Sequence, residues 1–282
     1  MKRAALLAAW TVFGLTSLPA RGEDEPVACQ LEPGRSAHEV EVPLGEVRRY
    51  QARVGAKAVA PAPVLIVFHA WGGRETSLEN RFDPDRYWPE SVVIAPQGLH
   101  RMLPEAGPRR RPGWQFVQGE YGDRDVAFFD ALLEDVAQRF CIDPDRITLS
   151  GYSNGGAFAN LVACLRPDAI AGIAPVSSAG PPERLACGAP VPVLVQHGRD
   201  DDVIPLASGL TTFARWAKTN ACEAPPADLP KGCSDAVGCA ATTRFCLTLF
   251  DHGWPTGTSQ RIVEFLREQR RTPAPVDDNG SR

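Results

Sequence analysis

Ile147-Thr148-Leu149-Ser150-Gly151-Tyr152-Ser153-Asn154-Gly155-Gly156 is the stretch that decides the fold of this chain. Its first four residues predict a short buried strand over 147–150, and the residues after the turn predict a helix over 156–164. Glycine stands two residues to either side of Ser153, as a very tight turn between strand and helix requires, because side chains there would collide. The stretch therefore fits a nucleophile elbow, a turn that presents a serine hydroxyl at the end of a strand.

Apolar runs alternate with amphipathic segments on both sides of this elbow. The runs that predict buried strands are 64–69, 92–96, 147–150, 170–176, 191–197 and 245–250. The segments that predict helices are 126–140, 156–164, 206–217 and 259–271. Strands that alternate with helices indicate parallel pairing through crossovers, so the sequence predicts an α/β fold with a mostly parallel central sheet flanked by helices, in one domain over 23–271.

Two segments interrupt the alternation and are long for connections inside a domain. Residues 98–122 contain Arg109, Arg110 and Arg111 with Trp114 and Phe116, and residues 221–244 contain three cysteines. Long connections of this kind often form the walls of a site, which is what we expect here. The polar, proline-rich end over 272–282 is expected to be disordered.

The first 22 residues have the pattern of a signal peptide. Lys2 and Arg3 precede an apolar run over 4–18, and cleavage is expected after Gly22 or Ala20. A membrane anchor is the alternative, but the run is shorter than a span needs. The chain has 30 basic and 34 acidic residues, a net charge of −4. Without residues 1–22 the balance is 27 to 34, or −7, which argues against nucleic acid and anionic membrane as partners.

Eight cysteines, an even number, all follow the expected cleavage site. They stand at 29, 141, 164, 187, 222, 233, 239 and 246. In an exported chain this number predicts disulfides and a secreted protein, extracellular or periplasmic. Zinc is the alternative, but the chain has no C-x-x-C pair and no histidine at finger spacing, so we expect no metal. The spacing of the cysteines does not determine which of them pair in disulfides.

A serine hydroxyl needs a histidine base that a carboxylate holds in the right tautomer, and after an elbow the order along the chain is serine, acid, histidine. Three histidines precede Ser153, and His197 closes a strand before any acid of its loop, so His252 is the candidate base. The acid belongs after the strand over 191–197, where Asp200, Asp201 and Asp202 are all candidates. The spacing does not choose among them, and the alternating ligands of a calcium loop are absent.

The oxyanion of such a reaction needs two backbone N–H donors. One is expected from Asn154, directly after the serine, and the other from the loop His69-Ala70-Trp71-Gly72-Gly73. Within that loop the Trp71 amide is the first candidate and the Ala70 amide the second. We expect His69 itself to order the loop rather than to take part in the reaction.

The chain resembles the secreted feruloyl esterase and polyhydroxybutyrate depolymerase group of α/β-hydrolases, which includes carbohydrate esterase family 1. The matching motifs are His69-Ala70-Trp71-Gly72-Gly73, Asp125-Val126-Ala127-Phe128, Cys141-Ile142-Asp143-Pro144-Asp145-Arg146, Gly151-Tyr152-Ser153-Asn154-Gly155-Gly156, Ala174-Pro175, His197-Gly198 through Pro205, and His252-Gly253-Trp254-Pro255. The resemblance implies an α/β-hydrolase fold and a triad of Ser153, His252 and Asp201. It also suggests disulfides between Cys164 and Cys187, Cys222 and Cys246, Cys233 and Cys239, and Cys29 and Cys141. We also expect no cofactor and a monomer.

Aromatic residues in loops bear on the substrate. Trp114, Phe116 and Trp254, with Trp71, are expected to bind a hydroxycinnamate ring or sugars, which favours a feruloyl esterase acting on aromatic acids esterified to plant cell-wall polysaccharide. The other interpretation is that these rings belong to the core. Alternatives with the same triad are a polyhydroxybutyrate depolymerase and an acetyl-xylan esterase. From another class, the alternative is a noncatalytic secreted binding protein on a hydrolase scaffold.

Overall fold

The computed structural model describes residues 31–43, 45–103, 107–223 and 232–271. The signal peptide expected over 1–22 and the disordered tail expected over 272–282 lie outside the described residues, so both stay predictions. Within the described ranges no helix is long and apolar enough to span a membrane.

The described residues form eleven strands, nine of them in one sheet. In chain order they are β1 (Gly34–Val42), β2 (Glu46–Val54), β3 (Ala62–Phe68), β4 (Val92–Pro96), β5 (Leu99–Met102), β6 (Arg110–Gly113), β7 (Ile142–Tyr152), β8 (Gly172–Val176), β9 (Val193–Gly198), β10 (Gly232–Asp235) and β11 (Thr243–Thr248). The order across the sheet is β1-β2-β4-β3-β7-β8-β9-β11-β10.

Six neighbouring strands of this sheet, from β4 to β11, run parallel to one another. They are the six strands that the apolar runs predict, although β7 begins five residues earlier than expected and β8 two residues later. The antiparallel strands β1 and β2 extend the sheet at one edge, and β10 extends it at the other. The predicted mostly parallel sheet is confirmed.

The described residues also form six α-helices, which cover both faces of the sheet. They are α1 (Glu75–Glu79), α2 (Pro84–Tyr87), α3 (Arg124–Phe140), α4 (Asn154–Leu165), α5 (Leu206–Thr219) and α6 (Thr258–Leu266). The four longer ones match the predicted helices, but α6 ends at Leu266 rather than at 271.

Alternate residues of β3 belong to two separate apolar clusters. Ile66 packs in the cluster that contains Phe129 of α3 and Phe158 of α4, while Leu65 packs in the cluster that contains Ile262 of α6. Successive side chains of a strand point to opposite faces of a sheet, so the central strand is buried on both sides. The result is a three-layer α/β fold. The carboxyl ends of its six parallel strands lie at the same edge of the sheet, together with the loops that follow them.

Two of the four suggested disulfide pairings are wrong. Cys164 pairs with Cys187 as expected, but Cys222 pairs with Cys239 and Cys233 with Cys246. Cys233 and Cys246 stand directly opposite each other on the antiparallel strands β10 and β11, which brings their sulfurs within bonding distance. The fourth suggested pair includes Cys29, which lies outside the described residues.

Candidate active site

Ser153 occupies a strained turn between β7 and α4. Its backbone has φ 54° and ψ −119°, a conformation that costs energy for a side chain with a Cβ. A Cβ on Gly151 would lie 2.3 Å from the Gly155 carbonyl oxygen, and one on Gly155 would lie 2.1 Å from that of Phe68. The Ser153 amide donates to the Val176 carbonyl at 2.9 Å, which ties the turn to β8. The predicted elbow is thus present, and both glycines are needed sterically.

Ser153, His252 and Asp201 form one chain of hydrogen bonds, although they come from three separate loops. His252 Nε2 lies 3.1 Å from Ser153 Oγ. His252 Nδ1 lies 2.9 Å and 3.0 Å from the two carboxylate oxygens of Asp201. An imidazole whose Nδ1–H donates to a carboxylate leaves Nε2 free to accept the serine proton, which is the arrangement a serine nucleophile needs.

Asp201 is the one of the three candidate aspartates that faces His252. Its Oδ1 accepts hydrogen bonds from the amides of Val203 at 3.1 Å and Ile204 at 2.8 Å. Burial alone would raise the pKa of this carboxyl, but these amides and His252 outweigh it and hold the pKa below its usual value. Asp200 is exposed and pairs with Arg199, and Asp202 is exposed. The carboxylate at Asp201 is therefore charged and fixed in place.

Two residues near the triad were not singled out from the sequence. Tyr152 stacks on His252 with ring centroids 5.1 Å apart, and its hydroxyl donates to the His252 carbonyl at 2.9 Å. Burial raises the pKa of Tyr152 to about 12, so it remains a neutral donor. Its position between Gly151 and Ser153 was the signal that could have identified it. Tyr152 therefore holds the loop of the base against the elbow.

His197 is the second such residue. It is fully buried, its Nε2 lies 2.8 Å from the Ile204 carbonyl oxygen, and the same atom lies 3.5 Å from Asp201 Oδ2. Burial lowers the pKa of His197, so the ring is neutral, and its Nε2–H donates a hydrogen bond to the Ile204 carbonyl oxygen. His197 thus supports the turn that presents Asp201, a role that its place before Gly198 in the sequence does not reveal.

Two backbone amides are expected to bind an oxyanion, that of Asn154 and one from the loop after β3. Asn154 is the first residue of α4, so its amide has no acceptor within the helix. In the loop after β3, neither the Ala70 nor the Trp71 amide donates a hydrogen bond to another described residue. Both therefore stay candidates for the second donor, with Trp71 the one we expect.

His69 holds this loop through a buried network. Its Nε2 accepts from the Gly98 amide and from Gln97 Nε2, each at 3.0 Å, which places the proton on Nδ1, 2.8 Å from the Ala70 carbonyl oxygen. Burial lowers the pKa of His69 to about 4, so the ring is neutral at pH 7. The structure thus assigns His69 the ordering role that we expected.

Trp114 does not line a substrate site, and the prediction that placed it there is wrong. Its side chain is fully buried and stacks on Phe158, with ring centroids 5.2 Å apart. Its indole N–H donates to the His69 carbonyl, and its backbone exchanges two hydrogen bonds with the Asn154 side chain. Trp114 directly follows β6 and belongs to the core because these hydrogen bonds hold it against Asn154, the first residue of α4.

The other aromatic candidates are partly exposed. Trp254 lies beside the triad, with its ring edge-on to Tyr152 and to Phe82, and it lines a cavity of about 800 Å³ between the α1–α2 segment and α6. Phe116 lies under the guanidinium of Arg101, 4.2 Å from its ring centroid. Trp71 lies under that of Arg111. Trp254 and Phe250 each stand two residues from His252 in the chain. The Arg81 guanidinium lies over the Trp254 ring, 5.6 Å from its centroid.

The chain is similar in sequence to known esterases. The model of the family described as phospholipase/carboxylesterase matches residues 50–225. Feruloyl esterase C of Emericella nidulans is 26% identical over 86% of this chain and 85% of its own length. Feruloyl esterase D of Neurospora crassa is 27% identical over 64% of this chain, and the match spans only 62% of that relative's length.

A solved structure, an acetyl xylan esterase from Aspergillus awamori, superimposes with a TM-score of 0.61 over 82% of this chain and 99% of the other. The two sequences are 12% identical, so this likeness shows a shared fold and nothing about substrate.

Proposed function

We propose that this chain, which belongs to the phospholipase/carboxylesterase family, is a serine carboxylic-ester hydrolase that releases hydroxycinnamates from plant cell-wall polysaccharide. The α/β-hydrolase fold and the likeness to feruloyl esterases that the motifs indicated are both confirmed. The observation that carries the proposed activity is the continuous hydrogen-bonded chain from Asp201 through His252 to Ser153.

The proposed reaction has two steps of acyl transfer. Ser153 Oγ attacks the ester carbonyl while His252 Nε2 takes its proton, and the imidazolium that forms is stabilised by Asp201. The oxyanion accepts hydrogen bonds from the amides of Asn154 and Trp71. His252 then gives its proton to the departing alcohol oxygen. In the second step His252 activates a water molecule, which releases the acid and restores Ser153.

Aromatic surface beside the triad supports a hydroxycinnamate as the acid. Trp254 follows His252 by two residues, and its ring lies edge-on to Tyr152, which stacks on His252. The cavity of about 800 Å³ that Trp254 also lines lies between residues 80–87 and 254–267, and its lining includes no member of the triad. The Trp254 indole N–H donates to Ser259, which fixes the orientation of the ring. This arrangement and the similarity to two feruloyl esterases favour a feruloyl ester as substrate. We propose Trp254, Trp71 and Phe116 as the substrate-binding residues.

Export from the cell is part of the same proposal. Three disulfides link described cysteines, and disulfides persist in oxidising compartments. A polysaccharide substrate of a cell wall is met only outside the cell. The signal peptide over 1–22 and the monomeric state remain predictions that a secretion assay and a sedimentation measurement test.

A panel of esters tests the proposed substrate. Wild type and Ser153→Ala are compared on methyl ferulate, acetylated xylan and a polyhydroxybutyrate suspension, with release of ferulate, acetate and hydroxybutyrate measured by chromatography. The proposal expects ferulate release with the highest kcat/KM and its loss in Ser153→Ala. Hydrolysis of acetylated xylan or polyester without ferulate release would overturn the substrate, and no hydrolysis by a folded protein would favour a noncatalytic binding protein.

A further inference from the structure

A cleft of about 940 Å³ opens between β2, the loop after β3 and the β5–β6 hairpin. Four arginines line it, with one carboxylate among the lining residues: Arg48, Arg49, Arg74 and Arg111 against Glu39. The chain as a whole carries a net charge of −4. A concave surface that concentrates one sign of charge focuses its field on an oppositely charged ligand. This region, the basic cleft, is therefore suited to an anion.

Two of the four guanidinium groups have no carboxylate within ion-pair distance among the described residues. These are Arg74 and Arg111, both exposed. Arg49 is only loosely compensated, since its Nε lies 3.8 Å from Glu75 Oε1. The Arg111 guanidinium lies over the Trp71 ring, 5.5 Å from its centroid, which limits where its planar fork can point. The basic cleft thus offers guanidinium donors that the fold itself does not occupy.

Arg48 adds a buried positive charge beneath the basic cleft. It is 2% exposed, and its Nη2 donates to Asp125 Oδ1 at 3.1 Å and to the Gln97 carbonyl at 3.2 Å. Its Nε and Nη1 have no hydrogen-bond partner in the described part of the chain. These two atoms are shielded from solvent, so Arg48 would act on an anion through its field rather than by contact. An anion in the basic cleft would reduce the free-energy cost of burying the Arg48 guanidinium, whose charge is only partly compensated by Asp125.

The basic cleft adjoins the proposed oxyanion site. Gly72 and Gly73 line it and directly follow Trp71, and two residues of chain span at most about 7 Å. The Gly72 amide donates to the Pro112 carbonyl at 2.7 Å, which fixes the loop to the hairpin that carries Arg111. A group attached a short distance from the scissile ester can therefore reach the basic cleft while the ester lies at Ser153.

We propose that the basic cleft binds the carboxylate of a uronic acid unit on the polysaccharide that carries the ester. This inference rests on the proposed esterase function and adds the charge of its substrate. Guanidinium groups bind carboxylates through paired N–H donors, and Leu99 and Pro112 supply apolar surface that a sugar ring can cover. A neutral polysaccharide would leave Arg74 and Arg111 without an anionic partner.

The test compares two feruloylated oligosaccharides that differ in one group. One bears a uronic acid next to the feruloylated sugar, and in the other this carboxylate is reduced to the primary alcohol. For wild type, kcat/KM for the acidic compound should exceed that for the neutral one about fivefold or more, and the ratio should fall to about one in Arg49→Gln/Arg74→Gln. High salt should also lower the ratio, because exposed charge pairs are screened.

Arg146→Gln is the matched control, since Arg146 lies on β7 about 23 Å along the strand from Ser153. It should keep the wild-type ratio. The single variant Arg74→Gln, which breaks no described ion pair, replaces the double variant if that one fails to fold.

The possible results separate a failure of the basic-cleft proposal from a failure of the esterase proposal. If wild type hydrolyses the neutral compound but the ratio is about one, the basic cleft does not bind a carboxylate and the esterase proposal stands. If neither compound is hydrolysed, the esterase proposal fails, and calorimetric titration with an unesterified uronic acid trisaccharide decides about the basic cleft. Binding that weakens in Arg49→Gln/Arg74→Gln would support it, and binding that is absent in wild type, or unchanged in the variant, would overturn it.

Discussion

The Nδ1 atom of His252 lies 2.9 Å from Oδ2 of Asp201, a residue 51 positions earlier in the chain. The contact joins the loops after the last two parallel strands, β9 and β11, which pair directly in the sheet. Because the ends of parallel neighbours meet at one edge, residues far apart in sequence converge there. The sheet order thus accounts for the pairing of base and acid.

Replacing Asp201 by Asn should nearly abolish activity while leaving the fold intact. An amide at this place no longer favours the tautomer with the proton on Nδ1 and no longer stabilises the imidazolium, which typically lowers kcat by about 10⁴-fold. Steady-state kinetics on methyl ferulate measure the effect. Asp202→Asn is the control, because Asp202 is exposed, and it should stay within about twofold of wild type. Equal losses in the two variants would show that Asp201 is not the acid.

Replacing Gly155 by Ala should unfold the elbow. The added Cβ would lie 2.1 Å from the Phe68 carbonyl oxygen, a backbone atom that cannot move without disturbing β3. A loss of stability of about 3 kcal/mol or more is expected, measured by urea unfolding. In the matched variant Gly188→Ala the nearest atom to the new Cβ, on the Pro167 ring, is 3.4 Å away, so stability should hardly change. A stable and active Gly155→Ala protein would contradict the tight turn.

Stability should fall as the pH drops below 6.5, and His69 should account for part of the loss. Its folded pKa of about 4 lies below the ordinary value of 6.5, so the unfolded chain binds the proton more readily. The neutral His69 ring therefore contributes to the free energy of unfolding. This contribution is fully present above pH 6.5 and is lost between pH 6.5 and 4, by about 3 kcal/mol in total.

Urea midpoints at pH 7, 6, 5 and 4.5 measure this dependence. His69→Gln should be less stable at pH 7, since the network is disturbed, but its stability should fall less steeply with decreasing pH. Parallel curves for the two proteins would exclude His69 as a source of the acid sensitivity.

The corrected disulfide pairings can be read by peptide mapping without reduction. Trypsin cuts after Lys231 and Arg244, and Asp-N cuts before Asp235, so the two enzymes together separate the four cysteines of this region. Linked peptides should join Cys222 to Cys239 and Cys233 to Cys246. A peptide that joins Cys222 to Cys246 would contradict the structure.

Removing the Cys233–Cys246 bridge by two Cys→Ser substitutions should lower stability by about 2 to 4 kcal/mol, since a bridge across 13 residues restricts the unfolded chain. Thermal melting of the variant against wild type measures it. If neither melting nor ester hydrolysis changes, the Cys233–Cys246 bridge stabilises neither the β10–β11 pair nor the loop of His252 that follows β11.

Parallel strands such as β4 and β8 could be predicted because all their residues are buried and none is charged or polar in its side chain. Strand β1 could not, since it lies at the edge of the sheet and exposes or half-exposes all but its last residue, so its sequence has no clear apolar face. Likewise, cysteine spacing could not identify the Cys233–Cys246 bridge, because the pairing depends on the register of β10 against β11.

Some residues of the candidate site could be predicted from the sequence and others could not. Ser153 and His252 could be predicted because chain order and local glycines restrict the choice, whereas Asp201 needed a family resemblance to separate it from its neighbours. The burial of Trp114 was not visible in sequence, since it stands in a segment rich in arginine, proline and glycine. Its environment comes from Phe158, 44 residues away, and from the two hydrogen bonds with Asn154.

Covalent labelling by a fluorophosphonate probe tests the central claim, that Ser153 is a nucleophile activated by His252, most directly. The labelled protein is digested and the modified residue is identified by mass spectrometry, with Ser153→Ala as the control. The account predicts a single phosphonylated residue, Ser153, no labelling of Ser153→Ala, and slower labelling when methyl ferulate competes. A folded wild-type protein that stays unlabelled, or labelling that persists in Ser153→Ala, would contradict it.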